Sequence, residues 1–171
     1  MIEAAPDSVR YEDSEGHLPL HQLCVKSSQD ETSAMAILRL LLEKYPESIR
    51  HAAHDGNLPI HAAAMASKSP EFCHVLIAAY PGSERITDDK GMLPFHDACA
   101  NNSVDTVEYL YDLYPDAIDH VTSSGHYPIN LAICNAVDRQ SDPRAVVEFQ
   151  KAEEQCLYLY WHVVWTILIQ T

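Results

Sequence analysis

One nine-residue phrase occurs four times in the chain: GHLPLHQLC from Gly16, GNLPIHAAA from Gly56, GMLPFHDAC from Gly91 and GHYPINLAI from Gly125. The glycines lie 40, 35 and 34 residues apart. A period of this size constrains the fold more than any other feature, because each copy must be one supersecondary unit that stacks on the next. A catalytic loop would need a single copy. A second marker keeps the same register: Pro46, Pro81 and Pro115, each preceded by tyrosine, lie ten residues before a phrase glycine. Pro6 lies ten before Gly16, and APDSVRYEDSEG nearly copies YPESIRHAAHDG. The chain therefore opens on the closing piece of a repeat, as a fragment, a truncated gene model or an abbreviated cap would.

Each unit reads as two helices and a protruding turn. The proline of the phrase pre-sets φ at the first helical position, where its missing N–H costs nothing. A short helix rich in small residues follows (LHQLCV, IHAAAMA, FHDACA), and then a longer amphipathic one. Its apolar stripe is predicted as Ile37, Leu38, Leu41 and Leu42 in the first unit. The second unit gives Phe72, Val75, Leu76 and Ala79, and the third Val104, Val107, Leu110 and Tyr111. Ser69-Pro70 and Ser103 are start signals. Tyr-Pro ends the helix, since a residue before proline is pushed out of the α region. Ten polar residues are expected to lead back to the next glycine, and Ser27–Thr32 is expected as a solvent loop between the helices of the first unit.

Gly-x-Leu-Pro-Leu-His before a small apolar helix, at a period near 33, resembles the ankyrin repeat, whose motif is Gly-x-Thr-Pro-Leu-His-x-Ala. The resemblance covers about Pro6 to Glu154. It implies an all-α fold: an ankyrin-type solenoid of stacked helix–turn–helix repeats with β-turn fingers, serving as a binding surface for other proteins. Domain limits follow as an array over 1–155, with a partial repeat end at 1–15 and repeats from 16, 56, 91 and 125, then an apolar tail at 156–171. The motif threonine is replaced by Leu18, Leu58, Leu93 and Tyr127. His21, His61 and His96 must then find other partners, expected among the backbone groups of neighbouring turns, and Asn130 takes the histidine position in the fourth copy.

Net charge is −14, from 11 basic and 25 acidic residues. Such a surface repels phosphate backbones and argues against nucleic acid as a partner. The five cysteines are odd in number, with no Cys-x-x-Cys pair. They read as buried thiols of a reducing compartment, cytoplasmic or nuclear. H-E-x-x-H, G-x-S-x-G, P-loop and G-x-G-x-x-G patterns are absent from the sequence, and nothing in it supports an enzyme or a cofactor. His51, His54 and Asp55 share one turn, but three ligands on a turn make a poor zinc cage.

By resemblance, partners contact the finger tips and the exposed side of the first helices. The fingers are 11–15, 51–55, 86–90 and 119–124. They present Glu12, Asp13, His51, His54, Asp55, Asp88, Asp89, Asp119 and His120 as candidate partner-binding residues. Lys26, Met65 and Asn101 follow from the first helices, with Val25 and Asn135 beside them. The chain is thus read as a non-catalytic, monomeric adaptor for a protein with a basic surface. The alternative is the array portion of a larger or membrane-associated protein whose activity lies elsewhere. Membrane contact rests only on the tail, where residues 157–169 hold just two polar side chains, His162 and Thr166. A helix of that length spans about 20 Å, short of the ~30 Å hydrocarbon core. A cap on the last repeat, a misread gene end and a shortened anchor all fit it.

Overall fold

The computed structural model describes residues 6–26, 30–101 and 104–132. Its helices are α1 (Pro19–Val25), α2 (Glu31–Lys44), α3 (Pro59–Met65), α4 (Pro70–Ala79), α5 (Pro94–Ala100) and α6 (Val104–Leu113), and residues 128–132 are helical as well. The short helices α1, α3 and α5 stack side by side as an inner row, and α2, α4 and α6 form the outer row behind them. Among the described residues there is no strand. Pro19, Pro59 and Pro94 each occupy the first helical position, as the phrase predicts.

The stack closes because the inner helices are thin where they meet. Ala62, Ala63 and Ala64 are all buried in α3, which lies between α1 and α5. Leu20, Ile60 and Phe95, one per phrase, enter a single continuous core with Leu38, Phe72, Leu76, Val107 and Leu110 of the outer row. Burying each such side chain stabilises the fold by about 1.5–3 kcal/mol, and no unit could bury its own without a neighbour.

The buried faces of the outer helices overlap the predicted stripes, which hold at Leu38, Leu41, Phe72, Leu76, Val107 and Leu110, but are not identical to them. In α2 the buried residues are Ala34, Leu38 and Leu41, while Ile37 is exposed and Leu42 half-buried. In α4 they are Phe72, Cys73, Leu76 and Ile77, with Val75 half-buried and Ala79 exposed. In α6 they are Thr106, Val107 and Leu110, with Val104 and Tyr111 half-buried. Small or polar residues, Ala34 and Thr106, also hold inward positions. The Thr106 hydroxyl is satisfied there by donating to the Lys68 carbonyl at 2.7 Å.

Two connections also differ from expectation. Asp30 caps α2, its Oδ1 accepting from the Thr32 N–H at 3.1 Å. Glu31 and Thr32 thus belong to the helix rather than to the loop; 27–29 lie outside the described residues. The segments after Tyr-Pro are not wholly polar coil. Pro6–Arg10, Pro46–Arg50, Ser83–Arg85 and Pro115–Asp119 form 3-10 turns that bury Val9, Ile49, Ser83 and Ala117. The other start and stop signals are where the sequence puts them. Ser69 caps α4 by accepting from the Phe72 N–H at 3.2 Å, and Tyr45, Tyr80 and Tyr114 follow the last residues of α2, α4 and α6. The Ser103 start signal and the apolar tail lie outside the described residues.

Candidate functional site

Before each phrase the chain turns back on itself in a finger, closed by two backbone hydrogen bonds. In the third finger Asp88 N–H donates to the Met92 carbonyl at 2.9 Å and Gly91 N–H to the Asp88 carbonyl at 3.0 Å. The same pair recurs between Asp13, Gly16 and His17, between Ala53, Gly56 and Asn57, and between Thr122, Gly125 and His126. Successive fingers are joined edge to edge. His54 N–H donates to the Glu15 carbonyl at 2.9 Å, Asp89 N–H to Asp55 at 3.1 Å and Ser123 N–H to Lys90 at 2.9 Å. This close approach explains the glycine. Gly56 has φ +81°, and a Cβ there would lie 2.6 Å from the Asp89 nitrogen.

The phrase histidines are the bolts between inner helix and finger. His21 Nδ1 accepts from the Leu18 N–H at 3.3 Å, supplying the return half of a capping box from the third helical position. With Nδ1 occupied as an acceptor, Nε2 carries the hydrogen and donates to the Asn57 carbonyl of the next finger at 3.2 Å. His61 repeats both bonds, to Leu58 and to Met92. The expectation of backbone partners therefore holds for these two. His96 keeps the bond from Leu93 N–H, but its Nε2 has no hydrogen-bond partner and lies buried, with the His120 ring 5.6 Å away edge-on. Asn130 takes over the capping half alone, its Oδ1 accepting from Tyr127 N–H at 2.9 Å. Burial holds His21 and His96 down to about 4, and lowers His61, because a charged imidazole loses water there.

The candidate residues separate into two sets. Glu12, Asp13, His54, Asp55, Asp89, Asp119, Lys26 and Met65 are exposed, whereas His51, His120 and Asn101 are half-buried and Asp88 is buried. His51 Nε2 donates to the Gly16 carbonyl at 3.0 Å and His120 Nε2 to Gly91 at 3.1 Å, so both rings tie one finger to the one before it. The Asp88 carboxylate accepts from Lys90 N–H at 2.9 Å and Met92 N–H at 2.7 Å. A free carboxylate at that tip, as the sequence suggests, is thereby corrected: these bonds hold the turn. Asp13 does the same for Glu15 and His17, both at 2.9 Å, and the His17 N–H bond is the main reason its carboxyl sits below the usual range. Asp55 Oδ1 accepts from Asn57 N–H at 3.2 Å, and Asn101 Nδ2 donates to the Asp97 carbonyl at 3.0 Å. The face left open runs from Glu12, His54, Asp89 and Asp119 on the fingers to Val25, Lys26 and Met65 at the far ends of the inner helices. Asn135 lies outside the described residues.

Two features were missed from sequence. Arg10 stacks over the Tyr45 ring with its guanidinium carbon 5.2 Å from the centroid, Arg50 over Tyr80 at 4.4 Å and Arg85 over Tyr114 at 4.7 Å. Each closing turn is thus clamped onto the outer-helix end of the following unit. The signal was present as Pro-x-Ser-x-Arg at 6–10, 46–50 and 81–85, with Asp119 in the arginine place at 115–119. The second is Asp97, 3% exposed in α5, whose Oδ2 has no partner. Burial, then the Asp88 charge, pushes its carboxyl up to about 8.

Among the described residues no three His, Cys, Asp or Glu side chains gather as a metal site, and no helix is long and apolar enough to cross a membrane. A family model for ankyrin repeats, in three copies, matches residues 20–123. No curated protein matches the sequence.

Proposed function

Because the chain belongs to the ankyrin-repeat family, a family of protein–protein interaction modules, we propose that it is a non-catalytic adaptor whose finger tips and inner-helix ends hold a protein with a basic surface. The observation that carries this reading is the division of labour among the finger side chains. Asp13, Asp88, His51 and His120 maintain the turns and their mutual spacing. Glu12, Asp89 and Asp119 project from the same fingers as exposed carboxylates that hold no finger backbone bond, with His54 between them. A rigid edge displaying exposed acids favours encounter with a cationic surface, and the net charge of −14 reinforces it at long range. Val25 and Met65, 52% and 44% exposed, add apolar contact at the other end of the face. The free, buried thiols Cys24 and Cys73 accord with a cytoplasmic or nuclear address.

The test is affinity capture from native lysate with the whole chain and with a Glu12→Gln, Asp89→Asn, Asp119→Asn variant of equal helical circular dichroism. A partner held by the first and lost tenfold or more from the second, and released from the first by about 0.5 M salt, is the expected result. Equal retention by both baits would move the interface off this edge.

A further inference from the structure

The first and third units solve one local problem differently. In the first, Asp13 uses Oδ1 for its own turn, and its Oδ2 receives the Gln22 side-chain amide from α1 at 2.6 Å. In the third, Asp88 uses Oδ1 for the same turn. The α5 position equivalent to Gln22, six residues after the phrase glycine, is Asp97. The donor has been replaced by a second acceptor. By that equivalence Asp97 stands to the Asp88 turn as Gln22 stands to Asp13, whose carboxylate it reaches, and the charges that act on Asp97 after burial are those of the finger residues Asp88, Lys90 and Asp55. Its Oδ2 lies buried there with no hydrogen-bond partner. An acceptor pair with no donor between them is costly to leave empty, and in isolation it keeps a proton.

We propose that Asp97 and Asp88 form an acidic socket that takes the cationic end of a lysine or arginine side chain from the partner protein. The inference rests on the proposed use of the finger and inner-helix face, and adds to it a point of specificity. An ammonium or guanidinium supplies the N–H donors that Gln22 supplies in the first unit, and it cancels the charge that two adjacent carboxylates would otherwise share. Entry of the cation releases the proton that Asp97 holds, which leaves to solvent. Lys90, on the exposed side of the same finger, is the one nearby cation whose charge acts on Asp97, and it forms no ion pair with Asp88 or Asp97.

The experiment is a titration of the isotope-labelled whole chain, followed by amide NMR, with N-acetyl-lysine methylamide and N-acetyl-arginine methylamide as probes and the glutamine analogue as control. Saturating shifts are expected at the amides of Lys90, Met92 and Asn101 at pH 8.5, with at least tenfold weaker binding at pH 6, where Asp97 holds its proton. Asp97→Asn restores the donor that Gln22 provides and should abolish these shifts while leaving the rest of the spectrum folded. Absence of localised shifts with either cation overturns the socket, as does equal binding by Asp97→Asn, or equal binding at both pH values. Failure of the wider reading looks different: it shows as equal partner capture by the native chain and the Glu12, Asp89 and Asp119 variant, whatever the probes do at Asp97.

Discussion

Lowering the pH from 7 to 5 should loosen the array through its phrase histidines, and replacing two of them should reverse the sign of the response. His21 and His96 titrate near 4 in the fold because burial disfavours the imidazolium, against 6.5 in an unfolded chain. A group with a depressed folded pKa binds protons better unfolded, so its contribution is intact above 6.5 and is lost as pH falls towards 4. Over the window from pH 7 to 5 the loss is about 2 kcal/mol for each ring, about 4 kcal/mol for the pair. His61 is lowered too and adds to the loss. Asp97 acts in the opposite direction. Its folded pKa near 8 lies above the ordinary 3.8, so the fold binds its proton more tightly, and stability rises by about 2.5 kcal/mol over the same window. The lowered carboxyls of Asp13 and Asp30 titrate below 3.8 and are silent in this range.

The native chain should therefore lose at least about 1 kcal/mol net between pH 7 and 5. Asparagine is the informative replacement, because Asn130 already fills the histidine place in the fourth unit and keeps the capping bond through Oδ1. His21→Asn with His96→Asn costs some stability at every pH, since the bond to the Asn57 carbonyl is lost, but the variant no longer titrates at those sites. Urea unfolding at pH 7, 6 and 5, with the slope constant, gives the comparison. The difference between the two chains' pH responses is expected near 4 kcal/mol, and the variant should hold or gain stability on acidification. A native loss that persists undiminished in the variant would show that these imidazoles are not the acid-sensitive groups.

Removing Arg50 from the Tyr80 ring, as Arg50→Ala, should lower stability by about 0.5–1 kcal/mol in thermal melts, and Tyr80→Leu in the same background should add less than it does alone. Gly56→Ala forces a side chain onto the Asp89 backbone nitrogen at a positive φ, and should cost about 1–3 kcal/mol by urea unfolding.

The parts of the fold that were legible are those carried by strict recurrence. Pro19, Pro59 and Pro94 mark the inner helices, the tyrosines before proline end the outer ones, and His21 and His61 find backbone partners as required by the loss of the motif threonine. The outer-helix faces were legible in part from apolar spacing: Leu38, Leu41, Phe72, Leu76, Val107 and Leu110 are buried as it predicts, with Leu42, Val75 and Tyr111 packed beside them, but small or polar inward residues such as Ala34 and Thr106 carry no apolar signal. Ile37 looked more like core than it is. The candidate site was half legible. Sequence identifies which residues sit on the fingers, but not whether a carboxylate such as Asp88 is turned onto its own backbone or, like Asp89, out to water. Asp97 was hidden for the opposite reason: an acid on a helix reads as surface until the packing of the neighbouring finger is known. The arginine clamp was visible as a pattern but not as a contact, since Arg50 and Tyr80 belong to different units.

Those clamps also set a direction of growth. Each arginine reaches its tyrosine 29 to 35 residues further along the chain. A polypeptide leaving the ribosome therefore presents each of these three closing turns before the ring it grips has been made. At the three turns that end in arginine the newer unit meets an edge that already carries its fastener, so the array can lengthen there one layer at a time without waiting for its far end.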